Sequence, residues 1–128
     1  MALTKTYPAG RYYVGDLCYA RVLGGDRWDD VVDLMYQGGK DNPGSHTIDG
    51  IDFWYHNTAF GDGTFFDGGT GLEFGVDAGV IGIIPAEAAE SDEMVGGHIV
   101  KFTEPFTPSY DDGIFYIGHL AIPTRWDE

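Results

Sequence analysis

Aspartate and glycine interrupt this chain every few residues, and the apolar runs left between them are short. The densest example lies between Thr58 and Pro85. There Gly61-Asp62-Gly63, Asp67-Gly68-Gly69 and Asp77-Ala78-Gly79 alternate with Thr64-Phe65-Phe66, Leu72-Glu73-Phe74-Gly75-Val76 and Val80-Ile81-Gly82-Ile83-Ile84. Glycine adopts positive φ without steric cost and aspartate tolerates it, so such pairs mark tight turns between strands. The Asp49-Gly50 pair, set between His46-Thr47-Ile48 and Ile51-Asp52-Phe53-Trp54-Tyr55-His56, is the preferred sequence of a two-residue type I′ hairpin. A second hairpin is expected from Thr64-Phe65-Phe66 through the Asp67 to Gly71 connection into Leu72 to Asp77, with Leu72, Phe74 and Val76 on one face.

Val80 to Ile84 is apolar on both faces and reads as a buried central strand, stopped by Pro85 before a short helix at Ala86 to Glu90. Further strands are expected at Arg11 to Val14, Leu17 to Val22, His98 to Thr103 and Ile114 to Ile122, the last two joined by Glu104 to Gly113. Only one stretch has strong helical periodicity. Trp28, Val31, Val32 and Met35 fall at i, i+3, i+4 and i+7 within an amphipathic helix over about 26–37, with Asp26 as its cap and Gly38-Gly39 as its end. Gln37 to Ser45 reads as a loop. The expected fold is mainly β with an α+β element: a small antiparallel β-sandwich or barrel of seven to eight strands with one helix, forming a single domain over residues 1–128.

Net charge is −14, from 21 acidic and 7 basic residues, which disfavours direct nucleic-acid binding. Solvation of the surface and mimicry of a polyanion both account for acidity of this kind, and the placement of many aspartates beside glycines assigns most of it to turns. No apolar run approaches membrane-spanning length and no secretory leader pattern is present, so a cytoplasmic, membrane-free protein is expected.

Adjacent aromatics recur at Tyr12-Tyr13, Phe53-Trp54-Tyr55, Phe65-Phe66 and Phe115-Tyr116. Neighbours on a strand point to opposite faces, so one ring enters the core and the other lies under the helix, in a subunit contact or in a ligand pocket. This pattern carries the expectation of a homo-oligomer. It also nominates Tyr13, Trp54, Phe66 and Tyr116 as stacking platforms for a small nucleotide-like ligand. Arg11 is the nearby guanidinium for a phosphate, and Gly61, Asp62 and Gly63 supply the backbone rim.

Other chemistry is less well supported. Cys18 lacks the flanking sequence of an activated nucleophile, and His46, His56, His98 and His119 lack the helical spacing of zinc enzymes. Asp62, Asp67, Glu73 and Asp77 are oxygen ligands in principle, but turn formation explains them without calcium. Asp62 and Asp67 flank one short strand as a conceivable hydrolytic pair. No cofactor motif is present, and catalysis is not indicated.

Three segments, Tyr13-Val14-Gly15-Asp16-Leu17-Cys18-Tyr19, Thr58-Ala59-Phe60-Gly61-Asp62-Gly63-Thr64-Phe65-Phe66-Asp67 and Val76-Asp77-Ala78-Gly79-Val80-Ile81-Gly82-Ile83-Ile84-Pro85, together resemble a family of small uncharacterised bacteriophage and bacterial proteins. The chain departs from that pattern at Leu17, where proline is usual. The resemblance brings no catalytic residues. It implies an accessory protein of the host cytoplasm that acts by binding, either sequestering a nucleotide immune signal as an anti-defence device or blocking a host protein. An acidic interaction protein is therefore the alternative reading, and a small hydrolase of nucleotide signals the second alternative.

Overall fold

The computed structural model describes residues 5–17, 44–48, 50–58, 63–76, 79–89 and 97–124. Strands β1 (Gly10–Gly15), β2 (Gly44–Ile48), β3 (Ile51–Asn57), β6 (Val80–Pro85) and β7 (Gly97–Phe102) form a five-stranded sheet in the order β2-β3-β6-β1-β7. Strands β8 (Ser109–Asp111), β9 (Ile114–Ile117) and β10 (Leu120–Pro123) form a three-stranded sheet, and β4 (Gly63–Phe66) pairs with β5 (Glu73–Val76) as a ribbon. Every pairing is antiparallel, and the five-stranded sheet ends on β2 and β7 without closing into a barrel. The mainly β, antiparallel expectation holds. The helix expected over about 26–37 lies outside the described residues, as do Cys18 to Val22 of the strand expected at Leu17 to Val22 and residues 37–43 of the loop expected over Gln37 to Ser45; the last two residues of that loop, Gly44 and Ser45, are corrected to the start of β2, where they pair with Tyr55 and Trp54. Among the described residues α-helix appears only as α1 (Ala86–Ala89).

Cross-strand register fixes what each face of the large sheet carries, because residues directly opposite share a face. Tyr12, Val14, Trp54, Ile81, Ile83, Val100 and Phe102 point one way, into a cluster completed by Phe65, Phe74 and Val76 of the ribbon and Phe115, Ile117, Leu120 and Ile122 of the small sheet. Tyr13, Tyr55, Phe53 and Ile84 are buried on the opposite face. β6 sits third of five, with Val80, Ile81, Ile83 and Ile84 all at 0% exposure, so its apolar residues on both faces have the reason that the sequence assigned to them.

One glycine row is required by close packing. Gly82 lies opposite Gly15, which lies opposite Gly97, on the face that holds Tyr13. A β-carbon on Gly82 would come within 2.9 Å of the Leu17 side chain, and one on Gly97 within 2.7 Å of the Tyr13 ring. The row is a trough into which these two side chains settle, and the Tyr13 hydroxyl donates to the Asp16 carbonyl at 2.8 Å.

Ile48 pairs with Ile51, with Gly50 at φ 79°, as expected of a hairpin there; Asp49 lies outside the described residues. Asp111 and Ile114 pair across Asp112-Gly113, whose φ values of 52° and 85° are those of a type I′ turn. The expectation of one strand over Ile114 to Ile122 is corrected. Gly118, at φ 59°, folds that run into the β9–β10 hairpin with the φ signature of a type II′ turn, and the preceding connection contains β8, which was not anticipated. Pro85 still pairs with Tyr12, so β6 runs one residue further than expected before α1 begins.

A candidate ligand cleft

β7 ends at Phe102, and the chain from Thr103 to Thr107 crosses to β8. Reciprocal backbone bonds between Tyr7 and Phe106, 2.7 and 2.9 Å, pin this crossing. Phe102 and Phe106 stack at 4.1 Å with a 24° angle between their planes, and Tyr12 meets both rings edge-on at 5.8 and 5.1 Å. The β9–β10 turn closes over this aromatic floor. A β-carbon on Gly118 would approach the Phe102 ring to 2.5 Å, so glycine meets both the φ and the space requirement here, and His119 tilts over the same ring at 5.4 Å.

Between crossing and turn lies a cleft of about 520 Å³, within the usual range for small-molecule sites. Its walls are Phe102, Phe106, Tyr116 and His119, and its rim includes Thr103, Glu104 and Thr107. Tyr116 is 43% exposed, and only Phe66 is a more exposed large apolar side chain among the described residues. Glu104 is exposed at the rim, and no lysine or arginine belongs to the described lining.

The buried polar groups near the cleft are occupied. Burial pushes the Tyr7 hydroxyl up to about 12 while it donates to Ser45 at 3.1 Å; Tyr12, raised by burial and then by Glu87 and Asp52, donates to the Pro8 carbonyl at 2.8 Å. Lys5 bonds Asp52 at 2.7 Å and Thr47 does so at 2.6 Å, which holds that carboxyl below its ordinary range.

Asp67 illustrates why a density of aspartates did not make a reactive site. It is 1% exposed, and burial alone would raise its carboxyl. Donation by the Thr70 hydroxyl at 2.6 Å, by the Ala121 N–H at 2.6 Å and by the N–H groups of Thr70 and Gly69 outweighs that effect and lowers it. The carboxylate is a structural knot between the β4–β5 connection and β10, and it is withdrawn from the hydrolytic pair considered with Asp62. Among the described residues no group of three or more His, Cys, Asp or Glu could hold a metal ion. His46 lies against Phe53 and Tyr55, His56 stacks on Tyr110 at 3.8 Å, and His98 bonds the Glu73 carbonyl at 2.6 Å, so these imidazoles serve separate local contacts.

The residues nominated from the sequence do not gather in one place. Tyr13 and Trp54 are corrected to core residues, at 0% and 2% exposure and on opposite faces of the sheet. Both faces are covered, so neither ring is available for stacking on a ligand. Arg11 is exposed on β1 directly opposite Lys101 of β7, on the Tyr13 face and away from the cleft. Gly61 and Asp62 lie outside the described residues, and Gly63 opens β4. Phe66 is 54% exposed opposite Glu73. Tyr116 alone among the nominated residues lines the cleft. The residues missed are Phe102, Phe106, Glu104 and His119; the signal available for them was the Gly118-His119 pair, a type II′ turn sequence inside an apolar run.

No protein-family model, curated protein or solved structure matches this chain. Among the described residues no helix is long and apolar enough to cross a membrane.

Proposed function

We propose that this protein is a non-enzymatic receptor for a small, ring-bearing ligand held in the cleft between the 103–107 crossing and the β9–β10 turn. The observation that carries this reading is the exposed Tyr116 ring facing a cleft of about 520 Å³ on a floor of packed aromatics. A flat ring stacked on Tyr116 would remove apolar surface from water at a place where the fold already holds the partner ring in position. The resemblance to phage proteins adds a setting, sequestration of a nucleotide immune signal in the host cytoplasm, in which the base is the part of the signal that suits the cleft. Phe66, exposed and outside the cleft, is the ring we assign to a contact between copies of the chain.

The test is direct. The protein is mixed with adenosine, cyclic nucleotides and ADP-ribose, separated from free ligand, heat-denatured, and the released material is assayed. Intact ligand supports a receptor, altered ligand supports the hydrolase alternative, and no retention of any of them removes the hydrolase alternative and the nucleotide setting together. Tyr116→Ala is expected to reduce retention at least tenfold.

A second reading has its own support. Glu73, Glu87, Glu104, Asp111 and Asp112 are all exposed on a chain of net charge −14, which suits occupation of a basic surface on a host protein. It requires salt-sensitive capture of a basic protein that survives Tyr116→Ala.

A further inference from the structure

We infer that the cleft selects an organic cation, and that a phosphate-bearing ligand does not enter it with its charged end; this rests on the cleft being the binding site. The charge of the lining carries the inference. Glu104 places a carboxylate at the rim, and the described lining contains no lysine or arginine to oppose it. The lining also contains the His119 imidazole, the surrounding chain carries net charge −14, and a concave site in surroundings of one predominant sign concentrates ions of the other sign. Tyr116 contributes the negative face of an aromatic ring, which attracts ammonium and guanidinium groups, above all methylated ones that shed water readily.

An anion would find the opposite conditions. Arg11 and Lys101 face each other across β1 and β7, and among the described residues neither has an acidic partner. They project from the sheet face turned away from Phe102, the residue through which β7 contributes to the cleft. A nucleotide with its base on Tyr116 would therefore leave its phosphates beside Glu104. Uncharged rings are tolerated, and a ring or small alkyl group joined to a quaternary or protonated nitrogen is preferred.

The experiment compares choline with its neutral isostere 3,3-dimethylbutan-1-ol, binding being followed by calorimetry and by the tyrosine resonances, with adenosine as the uncharged ring. Choline is expected to bind at least tenfold more tightly than the isostere and to weaken as salt is raised. Glu104→Gln, a substitution at an exposed position, is expected to remove most of that preference with the unfolding midpoint unchanged, whereas Tyr116→Ala weakens choline and adenosine alike. Equal binding of choline and isostere, or choline binding indifferent to Glu104→Gln, overturns the charge assignment. If adenosine binds in a Tyr116-dependent way and choline does not, the cleft stands as the site and the cation preference falls. If none of the three binds, both fall together.

Discussion

The five-stranded sheet and the outer hairpins treat the same sequence pattern in opposite ways. In β1 and β3 the adjacent aromatics Tyr12-Tyr13 and Phe53-Trp54-Tyr55 are buried on both faces. In β4 and β9 the doublets bury Phe65 and Phe115 and leave Phe66 and Tyr116 at 54% and 43% exposure. Alternation along a strand places neighbouring rings on opposite faces in both regions. What differs is whether the second face is covered, and that depends on where the strand lies in the layered structure. A ring held outside by a strand whose other face is firmly packed is open to contact from solvent, while a ring inside the central sheet is covered and packs in the interior.

This contrast is broken most severely by Trp54. Trp54→Ala removes a ring that meets Phe115 edge-on at 5.9 Å and is expected to cost about 3–5 kcal/mol, against about 0.5 kcal/mol or less for Tyr116→Ala. Chemical denaturation with unchanged m-values measures both. Comparable losses at the two positions would erase the distinction between the regions.

Asp67 comes next, because it belongs to the outer hairpins yet behaves as part of the interior. Asp67→Ala strands the N–H groups of Ala121 and Thr70 and is expected to cost about 1–3 kcal/mol. Its folded carboxyl lies below the ordinary aspartate value, so the folded state releases the proton more readily than the unfolded chain does. The resulting stabilisation is present above the ordinary aspartate range and fades as pH falls through the lowered value. Asp67→Asn should flatten that acid limb of the stability profile, and an unchanged limb would show that the knot contributes nothing to it.

The last effect is alkaline and lies outside the neutral range. Tyr7 titrates at about 12 in the folded protein against 10.0 for a free phenol, so the folded state holds this proton longer. Stability from this source is intact below pH 10 and declines as pH rises from there towards 12. Absorbance at 295 nm should resolve at least one late-ionising tyrosine that disappears in Tyr7→Phe.

Much of the fold could be read from residues whose local chemistry leaves little choice. Ile48 and Ile51 pair beside Gly50, Asp111 and Ile114 pair across Asp112-Gly113, and Val80 to Ile84 has apolar side chains on both faces because both faces are covered. The β9–β10 hairpin has a weak sequence signal because the Gly118-His119 pair is only two residues long and lies between the apolar runs ending at Ile117 and beginning at Leu120. The site was legible only at Tyr116. Tyr13 does lie on the face opposite Tyr12, whereas Trp54 shares the Tyr12 face and enters the main cluster, with Phe53 and Tyr55 behind it; which ring of a run faces the core, and whether the other face is covered, are tertiary facts with no local signature. The approach of Thr103 to Thr107 towards Gly118-His119 likewise depends on the pinning of Phe106 by Tyr7, a contact nearly a hundred residues apart in the chain.

The hydrogen bonds at Ala121 also bear on how this protein behaves in a crowd. β10 is the last strand of its sheet, and such a border normally presents free amide and carbonyl groups to any extended chain that drifts past. Here the Ala121 N–H is engaged by the Asp67 carboxylate and its carbonyl by the Gly68 N–H. Ladder growth by a neighbouring molecule is blocked at this position by a side chain imitating the strand that would otherwise add there, and loss of Asp67 would reopen the border to aggregation.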